Sequence, residues 1–190
     1  MNFNPEQFTE TQQKLFETLK FMGKLLLAGA VFQLILYIYP DTRFLQAGLA
    51  QIISAMLQST GFQTATEGIS IIISNTEYII TQDCLGWKSV AAFTALIYAS
   101  TERTVEHITF IIQGVASIIL ANIIRVYTTV LLAERGIISF NIIHDVLWSW
   151  SLTLIVLILW LYWLKNLKDR QPIYQQRIKE QIRKTQNKVK

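Results

Sequence analysis

The chain of 190 residues has little of what soluble or secreted proteins usually contain. Only 16% of its residues are charged, against about 25% in an average soluble domain. The single cysteine excludes an internal disulfide. Cysteine pairing therefore gives no information about the redox compartment of the protein. One cysteine and two distant histidines do not make a ligand set, and no Gly-x-Ser-x-Gly segment is present. We therefore expect no metal, no cofactor and no serine nucleophile.

What the chain does contain is apolar sequence, at 52% of all residues. Roughly 20 apolar residues cross a bilayer, and four stretches approach that length: 21–39, 85–101, 108–127 and 146–164. The second stretch is the shortest and the most polar. Residues 44–60 are uncharged and are compatible with a surface helix, a re-entrant segment or a fifth span. The sequence thus predicts an integral membrane protein with four or five transmembrane helices.

Two further elements are predicted outside these spans. Asn4, Pro5 and Gln7 form a helix-start pattern, so residues 1–20 are expected to form an N-terminal amphipathic helix at the membrane interface, not a signal peptide. The isoleucine-rich segments 69–74 and 77–82 predict a β-hairpin. Because an open sheet cannot face lipid, we expect this hairpin on the extracytoplasmic face of an all-α helical bundle.

Basic residues set the expected orientation. Residues 165–190 contain nine Lys or Arg and two acidic residues, a net charge of +7, directly after the last apolar stretch. Such a tail is typical of a cytoplasmic membrane surface and not of a nucleic-acid partner. The expected division is an interfacial helix (1–20), a transmembrane domain (21–164) and a basic cytoplasmic tail (165–190). With four spans, both termini are cytoplasmic and residues 40–83 lie outside the cell.

This topology brings three chemically capable residues to the outer face. Cys84 begins the second span, Arg125 lies near the end of the third, and His144 precedes the fourth. A thiolate is a nucleophile, histidine can act as general base and then general acid, and arginine can stabilise an oxyanion. An intramembrane arginine costs roughly 2.5–3.5 kcal/mol on insertion scales. This cost favours a functional role for Arg125.

Each residue also has an ordinary structural interpretation. Cys84 can be a small apolar side chain, Arg125 can reach lipid headgroups, and His144 can bond a backbone carbonyl. Lys88 lies four residues after Cys84 and shares its helix face if one helix contains both, although it can equally contact lipid phosphates. Asn122, one turn before Arg125, is expected to share a polar face with it.

Cys84-Leu-Gly86 after a hairpin, Asn122-Ile-Ile-Arg125 late in a transmembrane helix and a downstream His144 together resemble the archaeosortase/exosortase family over roughly residues 70–150. The resemblance implies a membrane-embedded cysteine transpeptidase, with Cys84 as nucleophile, Arg125 as transition-state stabiliser and His144 as acid and base. Gly86 and Asn122 match motif positions without an assigned role. The chain is shorter than many members of that family.

The resemblance also implies the partners. Substrates are exported proteins whose C-terminus carries a short motif, a transmembrane helix and a basic cluster. The enzyme cleaves at the motif through a thioester and passes the acyl group to a lipid or other surface amine. The alternative is a non-catalytic membrane assembly factor or small transport subunit, in which Arg125 and His144 make structural contacts. Labelling of Cys84 by a thiol reagent from outside the cell distinguishes the two.

Overall fold

The structure is a computed structural model, mainly helical, that describes residues 10–39, 41–101, 107–136 and 150–166. The predicted basic tail beyond residue 166 lies outside this part of the chain. The elements in chain order are α1 (Glu10–Ile38), α2 (Arg43–Ser59), β1 (Thr64–Glu67), β2 (Ser70–Ile73), β3 (Thr76–Ile79), a 3₁₀ turn (Gln82–Leu85), α3 (Trp87–Ser100), α4 (Ile108–Glu134) and α5 (Leu152–Asn166).

The first helix runs without a break through the predicted boundary at residue 20. The sequence divides this region into an interfacial helix and a separate span, whereas α1 is a single helix of 29 residues. Nothing between Glu10 and Ile38 interrupts helical geometry, since this stretch has no proline and its two glycines lie inside the helix. The helix-start pattern at Asn4 to Gln7 lies outside the described residues.

The predicted hairpin is confirmed, and it forms part of a three-stranded sheet. β2 pairs antiparallel with β3 in the register Ile73↔Thr76, which leaves a two-residue turn. β1, with the sequence TATE, pairs with the other edge of β2 and completes a three-stranded sheet. β1 was not predicted because it is polar and mostly exposed, so it shows no apolar alternation.

Helix α4 contributes residues to both apolar clusters of the fold. Its 27 residues make it about 40 Å long at 1.5 Å per residue. One end, called here the sheet end, packs through Val126 and Val130 against α2, β2 and Ile80. The other, called the far end, packs through Ile118 against α3 and α5 in a second apolar cluster. Two buried polar residues of α4, Asn122 and Arg125, lie between these clusters.

Polar contacts join the helices at the far end. Lys24 of α1 donates to the carbonyl oxygen of Thr101, just after α3, at 2.9 Å. Trp160 of α5 donates its indole N–H to Ser100 at 3.1 Å. The ring of Trp163 meets that of His107 edge-on, with centroids 5.3 Å apart. Helix α5 therefore runs toward the far end, and its first turn lies nearer the sheet end.

Two of the described helices, α1 and α4, are long and apolar enough to cross a membrane. α3 contains only 14 residues, about 21 Å at 1.5 Å per residue, because Gly86 and Thr101 are both non-helical. The described part of α5 is also short, and α2 is a 17-residue helix with one face packed against the sheet. The predicted total of four or five spans stays a prediction.

Candidate active site

Cys84 lies in a tight turn between the sheet and α3. The 3₁₀ turn (Gln82–Leu85) precedes α3, so Cys84 is not part of that helix as the sequence suggested. Its backbone N–H donates to the carbonyl of Thr81 at 3.0 Å, and its Sγ lies 3.4 Å from the Thr81 hydroxyl. The free thiol is half-buried and packs against the apolar cluster at the sheet end.

Gly86 ends this turn in a conformation that a glycine best supplies. Its φ of 72° is left-handed, which favours a residue without Cβ. A Cβ built there would lie 2.8 Å from Cγ of Asn122. Glycine is therefore required twice, for the backbone angle and for the close approach of α4. This gives the Cys-x-Gly spacing a physical reason.

Asn122 links the Cys84 turn to Arg125. Its Nδ2 donates to the backbone carbonyl of Cys84 at 2.7 Å, and its Oδ1 accepts from the guanidinium of Arg125 at 3.0 Å. Both donor and acceptor of a side chain only 2% exposed are thus used. The i, i+3 spacing of Asn122 and Arg125 allows this contact because residues three apart are neighbours on a helix. The sequence assigned no role to Asn122, and the structure shows that it connects the Cys84 turn to Arg125.

Arg125 is buried at the junction of the two apolar clusters, with 8% of its surface exposed. At 1.5 Å per residue it lies about 25 Å along α4 from Ile108. Its guanidinium is within electrostatic range of the Cys84 side chain. Guanidinium keeps its charge where an ammonium readily loses it on burial. The structure thus holds a cation on Asn122, whose amide in turn bonds the backbone carbonyl of Cys84.

Lys88 does not share a helix face with Cys84. The left-handed Gly86 separates the Cys84 turn from α3, so the i, i+4 geometry expected for one continuous helix does not apply. The ammonium of Lys88 instead pairs with the carboxylate of Asp83 at 2.5 Å, and both side chains are largely exposed. The local partner of Lys88 is a carboxylate and not the thiol.

His144 lies outside the described residues, so its predicted role stays a prediction. Within residues 10–39, 41–101, 107–136 and 150–166, no group of three His, Cys, Asp or Glu side chains is arranged to hold a metal ion. The chemistry available in the described site is that of a thiol, a buried amide and a guanidinium.

Sequence reasoning missed one residue of this neighbourhood. Gln46 of α2 is 5% exposed and donates to the carbonyl of Ile80 at 2.7 Å, just before the Cys84 turn. It shares its helix face with the buried Leu49, Ala50 and Ile53. A long polar side chain on the mainly apolar face of this helix was the signal that could have identified it.

Two clefts flank the Cys84 turn. A polar cleft of about 300 Å³ is lined by Gln33, Thr42, Asp83 and Lys88, among others. An apolar groove of about 470 Å³ is lined by residues of α2, α3 and α4, and it reaches Leu85 and Asn122. Residues on either side of Cys84 in the sequence therefore line clefts, Gln82 and Asp83 the polar one and Leu85 the apolar one.

The family model described as "Transmembrane exosortase (Exosortase_EpsH)" matches residues 11–162. The match covers well over half of the chain, so this chain belongs to the transmembrane exosortase family, as the three sequence motifs predicted. No curated protein and no solved structure matches it. Family membership, together with the two long apolar helices, establishes a membrane protein and supports a transpeptidase role in general terms.

Proposed function

We propose that the chain is a membrane-embedded cysteine peptidase and transpeptidase that cleaves a C-terminal sorting tag from exported proteins. The observation that carries this proposal is the hydrogen-bonded series from the Cys84 carbonyl through Asn122 to Arg125. It joins the backbone of the only cysteine of the chain to a buried cation. The family match adds the reaction class.

In the first half of the reaction, the thiolate of Cys84 attacks the carbonyl carbon of the scissile peptide bond. The carbonyl oxygen becomes an oxyanion, and the charge of Arg125 stabilises it. The C–N bond then breaks, the tag leaves as an amine with a proton from His144, and a thioester to Cys84 remains. Burial makes the charge of Arg125 more effective than it is in water.

In the second half, an acceptor amine attacks the thioester carbon. His144 takes the proton of the amine, the C–S bond breaks, and the thiolate of Cys84 is restored as a new amide forms. Water in place of the amine gives hydrolysis. Support for His144 comes from sequence order and from the direction of α5, which follows it and whose first turn lies nearer the sheet end.

The proposed orientation places the sheet and the Cys84 turn outside the cytoplasm. The basic tail after α5 supports a cytoplasmic C-terminus, and an even number of spans makes the N-terminus cytoplasmic as well. In this orientation α2 and the sheet form a cap over the outer end of α4. The nucleophile then lies where the apolar bundle meets the cap, at a depth that a tag entering from the membrane can reach.

The proposed substrates carry a short motif followed by a transmembrane helix and a basic cluster. The basic cluster of the substrate and the tail of the enzyme align both proteins on the same inner surface. The acceptor is a lipid or another surface amine.

A processing assay in cells tests the proposal. A protein from the same genome whose C-terminus has this tripartite tag is expressed with the wild-type chain or with Cys84→Ala. We expect the tag to be removed only with the wild-type chain. Equal processing by both would refute the proposal and leave the non-catalytic assembly factor as the alternative.

A further inference from the structure

We propose that Gln46 of α2 is a positioning residue for Cys84. The side-chain amide of Gln46 donates to the backbone carbonyl of Ile80 at 2.7 Å in a buried contact. Ile80 is the first residue after β3, and the segment from Ile80 to Gly86 carries the nucleophile. Together with the backbone hydrogen bond from Ile80 to the carbonyl of Ile69 at 2.9 Å, the contact fixes the point at which this segment leaves the sheet.

A second amide holds the other end of the same segment. Asn122 of α4 donates to the carbonyl of Cys84, also at 2.7 Å. Two buried amides from two different helices thus hold two carbonyls four residues apart. Between them, the contacts of the turn are local: Cys84 bonds Thr81, the indole of Trp87 donates to the carbonyl of Gln82 at 3.0 Å, and Asp83 pairs with the exposed Lys88. The position of the thiol consequently depends on α2 as well as on α4.

The contact also gives α2 a connection to the two clefts. The hydroxyl of Thr42 donates to Oε1 of Gln46 at 3.4 Å, and Thr42 lines both the polar cleft and the apolar groove. Loss of the Thr42 hydroxyl would therefore remove one contact of Gln46 and leave the bond of Gln46 to Ile80 in place. Gln46 touches neither the thiol nor the reacting bond, so its effect on the reaction is indirect.

The test uses the reactivity of the thiol, which does not depend on the proposed function. Because Cys84 is the only cysteine, N-ethylmaleimide reports on it alone in the full chain in membranes. Gln46→Met removes the donor at similar volume. We expect labelling about fivefold faster, the population change for loss of one buried hydrogen bond in a local opening. Thr42→Val, which removes only the weaker contact, should change the rate in the same direction by less.

Two controls separate positioning from general loss of stability. Gln51→Met alters an exposed glutamine of the same helix, and Ile97→Val creates a small cavity in the cluster at the far end. Both should label at the wild-type rate. Faster labelling in Ile97→Val to the same extent as in Gln46→Met would show a merely structural role and overturn the proposal.

The effect on the reaction rests on the proposed function. Misplacement of a reacting group by about 1 Å can cost on the order of 10²-fold in rate, so we expect kcat for tag removal to fall at least about tenfold in Gln46→Met with KM nearly unchanged. Wild-type labelling in both Gln46→Met and Thr42→Val would overturn the positioning role. Altered labelling with no tag removal even by the wild-type chain would support the positioning role and refute only the proposed function.

Discussion

Gly86 and Asn122 approach each other so closely that one added carbon atom on the glycine would lie 2.8 Å from Cγ of the asparagine. Asn122 in turn donates to the carbonyl of Cys84, two residues before Gly86. The turn that carries the thiol thus packs directly against the side chain of Asn122. Gly86, Asn122 and Arg125 form one structural unit with the Cys84 turn.

Replacing Gly86 by alanine should disrupt this unit. The left-handed backbone and the contact with Asn122 each cost about 1–3 kcal/mol. We expect Gly86→Ala to lower the midpoint of thermal unfolding in detergent and to abolish tag removal. Gly61 is also left-handed, at φ 94°, but an added Cβ there has nothing within 4 Å, so Gly61→Ala measures backbone strain alone. If both variants lost the same stability and kept activity, the contact with Asn122 would not matter.

Arg125 should be intolerant of both alanine and lysine. Loss of one oxyanion-stabilising group typically costs about 2.7–4 kcal/mol, so Arg125→Ala should be slower by at least two orders of magnitude. Arg125→Lys keeps a charge but loses the planar guanidinium that contacts Asn122, and we expect it to be severely impaired. The matched control is Arg135→Lys at the exposed end of α4, which should be active. Near-normal tag removal by Arg125→Lys would indicate that only charge is needed.

His144→Ala should block turnover because the proton donor to the leaving amine is lost. Acylation can slow as well, since the same residue is the base. The neighbouring Asp145 is predicted to point about 100° away on a helix, so Asp145→Asn is the control and should retain activity. Single-turnover and steady-state rates of tag removal distinguish the two steps. An active His144→Ala protein together with an inactive Asp145→Asn protein would indicate that Asp145 is the acid and base, and would contradict the assignment to His144.

Tyr78 should contribute to stability in a pH-dependent way. Its hydroxyl donates to Glu134 at 2.7 Å and ties β3 to the end of α4. Burial, and then the hydrogen bond and the charge of Glu134, raise the pKa of Tyr78. A raised pKa in the folded state contributes stability that is complete below the unfolded-state pKa of about 10 and is lost as pH rises above it.

Tyr78→Phe tests this contribution. Thermal unfolding at pH 8 should show the variant less stable by about 1 kcal/mol, the usual net value of one hydrogen bond. The difference from wild type should shrink above about pH 10. A difference that stays constant through that range would show that deprotonation of Tyr78 is not linked to folding. Tyr98→Phe, on α3 beside Lys24, provides a control tyrosine away from Glu134.

The sequence predicted some of this architecture for identifiable reasons. The hairpin followed from two isoleucine-rich segments around a turn, and the helical stretches followed from apolar length. β1 could not be found, since its four residues are polar and gain their pairing only from β2. The continuous α1 was also missed, because an amphipathic start and an apolar continuation look like two elements although one helix accommodates both.

The candidate site shows the same division. Spacing predicted that Asn122 and Arg125 share a face, which is a local property of a helix. Gln46 could not be placed, because its contact with Ile80 joins residues 34 apart in the sequence. The expected proximity of Lys88 to Cys84 assumed one continuous helix, and the left-handed Gly86 removes that condition. The position of Gln46 thus depends on a tertiary contact, and the separation of Lys88 from Cys84 depends on the backbone angle of Gly86.

The most direct test of the account is to trap the thioester on Cys84. Purified full-length chain is mixed with a substrate that carries the tripartite tag, quenched in acid and digested for mass spectrometry. The account predicts an acyl adduct on the Cys84 peptide that hydroxylamine releases, absent from Cys84→Ala and nearly absent from Cys84→Ser, since a hydroxyl is much harder to deprotonate than a thiol. Normal tag removal by Cys84→Ala, or tag removal by the wild-type chain without any adduct under these trapping conditions, would contradict it.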